Sequence, residues 1–162
     1  MHIESVSMDE AASVMKAVSI ASILERKGHH VWCLSPAATV YEAIALMDAK
    51  HVGALMVVTD GDLVGVVSER DYARKVILKG RSSTDTLVRE IMTSPVIFVT
   101  PHYSVDECLR VMTHHHIRHL PVKEGRQVAG VVSIGDLVNT IISAQAETVH
   151  QLNSYIAGNY PG

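Results

Sequence analysis

Shifting the sequence by 65 positions aligns residues 31–76 with 96–141 without a gap, and this duplication constrains the fold more than any other feature. Pro36 falls on Pro101, Glu42 on Glu107, Met47 on Met112, His51 on His116, Leu55 on Leu120 and Val57 on Val122. Gly65-Val66-Val67-Ser68 then falls on Gly130-Val131-Val132-Ser133, and Asp71 on Asp136. Two copies of one supersecondary unit are therefore expected.

Each copy opens with a β-rich run, Val31–Leu34 or Val96–Val99, stopped by Ser35-Pro36 or Thr100-Pro101. A helix follows, introduced by the capping boxes Thr39-Val40-Tyr41-Glu42 and Ser104-Val105-Asp106-Glu107, in which hydroxyl and carboxylate satisfy orphan backbone N–H groups. Apolar residues recur at helical spacing: Val40, Ala43, Ile44 and Met47, then Val105, Cys108, Leu109 and Met112. Two apolar runs, Ala54–Val58 and Leu63–Val67, are joined through Asp60-Gly61, which tolerates the positive φ of a tight hairpin; Glu124-Gly125-Arg126 serves the second copy. After Ser68 and Ser133 come second helices, Glu69 to about Leu78 and Ile134 to about Ile142. The order β-α-β-β-α, twice, predicts a mixed α/β (α+β) fold of two pseudo-symmetric units.

Residues 18–78 form the first unit and 88–143 the second, with a polar, turn-rich linker over 79–87. Ile20–Leu24 resembles Val88–Met92, so a short helix precedes each copy. Residues 1–17 are a weakly helical extension, and a further helix is expected from Ala144 to Ile156 within the 144–162 tail.

A chain of 162 residues with 48% hydrophobic content can bury a core. With 17 acidic and 14 basic residues it has a net charge of −3 and no broad positive field, so nucleic acid is not expected as a partner. Cys33 and Cys108 lie in apolar elements without C-x-x-C spacing, which suits buried free thiols in a reducing compartment. No apolar run approaches the roughly 20 residues of a membrane helix, and Asp9 and Glu10 sit where a transit peptide avoids acids. A cytoplasmic protein without membrane contact is expected.

The sequence resembles a tandem pair of cystathionine-β-synthase (CBS) domains, a Bateman module, from about Val18 to Ile142. Ile23-Leu24, Ile91-Met92, His119-Leu120-Pro121-Val122 and the two G-h-h-S-x-x-D turns carry the resemblance. Ser68–Lys75, Gly80–Ser83, Ile117–Val122 and Leu152–Ile156 are similar to stand-alone CBS pairs of bacteria and plant mitochondria. The resemblance implies clefts that accept adenine nucleotides, commonly AMP or ATP and sometimes NAD(H) or S-adenosylmethionine, in a homodimer that reports to an unidentified regulated protein.

Physical chemistry supports such a ligand at the S-x-x-D turns. Ser68 and Ser133 can donate to a phosphate oxygen, and Asp71 and Asp136 can accept from the hydroxyls of a ribose. Gly65 and Gly130 permit close backbone approach. The same pattern is also a capping box, worth about 1 kcal/mol of helix stability, so each turn has two readings. Arg70, Arg74 and Lys75 follow Ser68, whereas Ile134, Gly135 and Asn139 follow Ser133. The first turn is therefore expected to hold a pyrophosphate or triphosphate and the second a monophosphate. The alternative is a solvated helix face or a salt bridge in a dimer.

Arg118 and His119 stand where the first copy has Gly53 and Ala54, before the central strand, at positions that the resemblance turns toward the cleft. They can reach a phosphate, while Gly53 and Ala54 leave room for a purine near Val31, Leu55, Val96 and Leu120. Thr100, at the end of the second copy's first run, completes the expected nucleotide-binding set. His115 and His119 have four-residue spacing, but no Cys or carboxylate nearby completes a metal shell, and His116 pairs with His51 in the repeat. No nucleophile stands with an activating base, so a regulatory binding module is expected rather than an enzyme. A ligand-independent interaction regulator, such as a thioredoxin-type redox partner, is the alternative.

Overall fold

The computed structural model describes residues 3–144. The helix expected from Ala144 to Ile156 lies, past its first residue, outside the described residues, as does the Leu152–Ile156 resemblance. The chain begins with α1 (Ile3–Ala17) and α2 (Ile20–Lys27). The first copy then runs β1 (Cys33–Leu34), α3 (Val40–Lys50), β2 (Ala54–Thr59), β3 (Asp62–Ser68) and α4 (Glu69–Tyr72), which is the expected order. A short α5 (Val88–Ile91) leads into the second copy of α6 (Val105–His115), β4 (His119–Glu124) and β5 (Gln127–Ser133). A last helix, α7, starts at 134 and is helical through 144.

Local chemistry explains most of these boundaries. Thr39 Oγ1 accepts from the Glu42 N–H at 3.1 Å while Glu42 Oε2 accepts from the Thr39 N–H at 3.0 Å. Ser104 and Glu107 repeat the reciprocal cap on α6. At their other ends α3 and α6 stop on His51 and His116, with φ of 55° and 54°. A left-handed residue there ends the helix and lets the next amide return: Val52 N–H donates to Met47 O and Ile117 N–H to Met112 O. The repeat pairing of these two histidines is thus a matter of backbone geometry. Asp60 and Gly61, at φ of 51° and 82°, make the β2–β3 turn.

β2 is the centre of a three-stranded sheet. It runs parallel to β1, with Cys33 opposite Met56, and antiparallel to β3, with Ala54 opposite Ser68 and Leu55 opposite Val67. Ala54 through Val57 are all buried, as a strand covered on both faces requires. Val40, Ala43 and Met47 of α3 pack with Leu55, Val57, Val67, Val76, Val88 and Ile91 in one core cluster.

Three expectations need correction. The Val96–Val99 run does not form a strand: only Val99 makes a bridge, and β4 and β5 stand as a two-stranded sheet. β propensity measures fit to a pleated surface and does not supply a partner. Phe98 is exposed with the Lys123 ammonium 4.7 Å from its ring centre, outside any ladder. Second, the helix after Ser68 is α-helical only to Tyr72 and continues as a π-helical turn, Ala73–Ile77. Third, Cys108 is buried but Cys33 is exposed. Its strand is two residues long, so the alternation that buries Leu34's side turns Cys33 outward.

Contacts gather the chain into two compact units, and neither coincides with a sequence copy. Of the described residues, one takes those up to Gly28, Val99–Leu120 and those from Val132; the other takes His29–Phe98 and Pro121–Val131. Within the first unit, α2 docks before α6: Ile20 N–H donates to Tyr103 O at 2.8 Å, Ala21 N–H to Pro101 O at 3.0 Å, and Val105 N–H returns to Val18 O at 3.1 Å. Within the second, α5 docks before α3 by the same pattern, Val88 N–H to Ala38 O, Arg89 N–H to Pro36 O and Val40 N–H to Thr86 O. Each copy's leading helix therefore covers the other copy's cap. No helix among the described residues is long and apolar enough to cross a membrane.

Candidate functional site

Both S-x-x-D turns are closed as reciprocal caps. At the first, the Ser68 N–H donates to Asp71 Oδ2 at 2.9 Å and the Asp71 N–H to Ser68 Oγ at 3.3 Å. At the second, the Ser133 N–H donates to Asp136 Oδ2 at 2.8 Å and the Asp136 N–H to Ser133 Oγ at 3.1 Å. The next amide, at Glu69 or Ile134, donates to the carbonyl of the residue before β2 or β4, Gly53 at 3.0 Å or Arg118 at 2.9 Å. The repeat thus brings Gly53 to the Ser68 turn and Arg118 to the Ser133 turn through the backbone.

The surroundings of the two carboxylates differ. Lys75 Nζ lies 3.0 Å from Asp71 Oδ1, one helical turn away, and also donates to the Ile91 carbonyl at 2.8 Å. Thr93 Oγ1 donates to the same Asp71 oxygen at 3.5 Å. Of the three cations expected around the first turn, Lys75 is thus held by protein acceptors, Arg70 is half-buried and Arg74 is exposed. Gly65 is needed for a protein neighbour: a Cβ there would lie 2.5 Å from Met92 Sδ. Its close approach is to Met92.

The second turn is not neutral, contrary to the expectation from its own helix. Lys27, at the end of α2, places Nζ 2.6 Å from Asp136 Oδ2. Sequence reasoning missed it, since 109 residues separate the partners. Only the pairing of α2 with the second copy brings them together. A cleft of about 280 Å³ opens beside this ion pair, lined by Arg26, Lys27, Asp136, Asn139, Thr140 and Ser143. Near it, burial holds the His119 imidazole below its ordinary pKa, Lys27 and Arg118 push the same way, and Asp136 opposes them.

The remaining expected residues are placed less openly. Leu55 and Leu120 are fully buried core side chains, and Ala54 is also buried, whereas Val31, Val96 and Thr100 are half-buried. Arg118 is exposed. His114 and His115 stand edge to face on the last turn of α6, 4.8 Å between ring centres. Among the described residues no three His, Cys, Asp or Glu side chains come together as a metal site. The Cys108 thiol is pushed up to about 12 by burial and by Glu107, so it stays protonated at neutral pH.

The sequence profile of the CBS domain matches residues 20–77 and 88–143, so each S-x-x-D turn stands near the end of one of two matched segments. The chain belongs to the CBS-domain family. Among CBS-domain relatives, it is 39% identical over 158 residues to the Arabidopsis thaliana protein CBSX3, mitochondrial, covering 91% of this chain and 76% of that one. A solved CBS-domain protein from Burkholderia ambifaria shares 47% identity with a TM-score of 0.75, over 78% of this chain and 95% of the other. The fold also resembles the CBS domain pair of protein MJ0100, at 24% identity and a TM-score of 0.67, over 75% of this chain and 94% of that one. That structure is a complex with 5'-methylthioadenosine and S-adenosyl-L-methionine.

Proposed function

We propose that this CBS pair is a regulatory module that binds an adenine nucleotide, AMP or ATP or NAD(H), and signals its level to a partner protein through the conformation of a homodimer. The observation that carries the reading is the pair of S-x-x-D turns, each with a carboxylate shared between its own helix cap and a lysine. Such a carboxylate can exchange those partners for the two hydroxyls of a ribose, and the freed ammonium then faces a phosphate. The adenosine compounds bound by MJ0100 support this ligand class. Exposed Ile134, Val138 and Ile142 recur at four-residue spacing along α7 and offer an apolar stripe for a second copy. The reading is of a binding module rather than an enzyme, because Ser68 and Ser133 act as caps and Cys108 is a buried thiol.

Binding changes shape only if the two shapes differ in affinity. Titration calorimetry with AMP, ATP and NADH on the wild type and on Arg70→Ala tests the assignment of the first turn. We expect the variant to lose affinity most for the ligand with the most phosphate charge; unchanged affinity for every ligand would overturn that assignment. A bound ligand at 100 times its Kd adds about 2.7 kcal/mol of stability, which raises Tm by roughly 5–10 °C in a chain of this size. Thermal melts without a shift for any adenine nucleotide would instead favour a ligand-independent interaction regulator. Mass spectrometry of compounds that co-purify with the protein identifies the ligand directly.

A further inference from the structure

The 65-residue repeat places Thr140 of the second copy where the first has Lys75. In the first copy, that lysine neutralises Asp71 from within its own helix and is bound a second time by the Ile91 carbonyl. Thr140 cannot do this: its hydroxyl donates back to the Asp136 carbonyl at 2.8 Å. The cation on Asp136 comes instead from Lys27, on a different element. Burial of Ile20, Ile23 and Leu24 sets the roll of α2, and its last turn, Arg26 and Lys27, is left on the exposed side. The backbone bonds to Pro101 and Tyr103 anchor its first turn. Lys27 therefore ends on a fixed helix at the edge of the cleft of about 280 Å³, a size near the lower limit of small-molecule pockets.

We propose that Lys27 is the specificity-determining cation of the Ser133/Asp136 turn, selecting phosphorylated adenine nucleotides over uncharged adenosine compounds. The inference rests on the nucleotide reading of that turn. When ribose hydroxyls take the Asp136 carboxylate, the Lys27 ammonium is released within reach of the same ligand and pairs with its phosphate. A ligand without phosphate breaks the Lys27–Asp136 pair and gives the ammonium nothing in return. His119 does not substitute for it, because burial and the neighbouring Lys27 keep its imidazole neutral at pH 7. An ammonium carried on another element, rather than on the turn's own helix as Lys75 is, makes the second turn selective for charge.

The test follows the Gly135 and Asp136 amide resonances by NMR, which reads the second turn even if the first also binds. AMP and adenosine are titrated into the full chain as wild type, Lys27→Gln and Lys27→Arg. Lys27→Gln is expected to weaken AMP by about tenfold and to leave adenosine unchanged or tighter, while Lys27→Arg retains AMP. Equal weakening of both ligands by Lys27→Gln, or no effect on either, overturns the proposal. If the wild-type amides respond to neither compound, the nucleotide reading of this turn fails, and the proposal falls with it.

Discussion

Burial at the start of β4 holds the His119 imidazole below its ordinary value of 6.5, with Lys27 and Arg118 acting in the same direction and Asp136 against it. Between the depressed value and 6.5 the unfolded chain binds more protons at this residue than the folded one. The contribution of His119 is therefore complete above pH 6.5 and is lost as pH falls through the folded value. Urea midpoints measured at pH 7.5 and pH 5 are expected to fall further on acidification for the wild type than for His119→Gln; parallel losses would refute this. Gly65 is a second residue whose identity is set by a neighbour. With Met92 Sδ 2.5 Å from the place of a Cβ and Met92 Cβ at 3.2 Å, Gly65→Ala must displace the thioether and the chain that carries it. We expect a loss of about 1–3 kcal/mol in denaturant melts, and a loss under 0.5 kcal/mol would mean that Met92 repacks freely.

Helix caps are the elements' own instructions, and they were legible because both partners lie three residues apart. Thr39 with Glu42, Ser104 with Glu107, Ser68 with Asp71 and Ser133 with Asp136 all close as their spacing predicts. Ser104→Ala should therefore cost about 1 kcal/mol and speed amide exchange in the first turn of α6 without changing that of α3. Equal changes in both helices would point to a global effect instead. What the sequence left unread depends on partners that are distant or missing. The Val96–Val99 run has strand composition, but only Val99 finds a bridge. Lys27 carries no local mark of its role, because the carboxylate it meets belongs to a helix more than a hundred residues away. The π-helical turn after Tyr72 is likewise invisible in a stretch, Ala73–Ile77, whose composition suits an ordinary helix.

For the whole molecule, the decisive feature is that α2 and α5 each dock on the copy other than the one they lead into. Each compact unit thus draws chain from both sides of the 79–87 linker. A protease site inserted between Gly80 and Arg81, an exposed turn where Gly80 has φ of 66°, makes this testable. After cleavage the two fragments are expected to elute together by size exclusion in native buffer and to part only in denaturant. Separation in native buffer would show that each sequence copy is self-sufficient. The reciprocal docking also bears on how such a protein can be inherited. A single copy cut from the gene would carry a helix with no surface to cover and a cap with nothing over it. It could be completed only by a second molecule with the complementary defects. The smallest piece that evolution or an engineer can move between proteins as a finished object is therefore the pair.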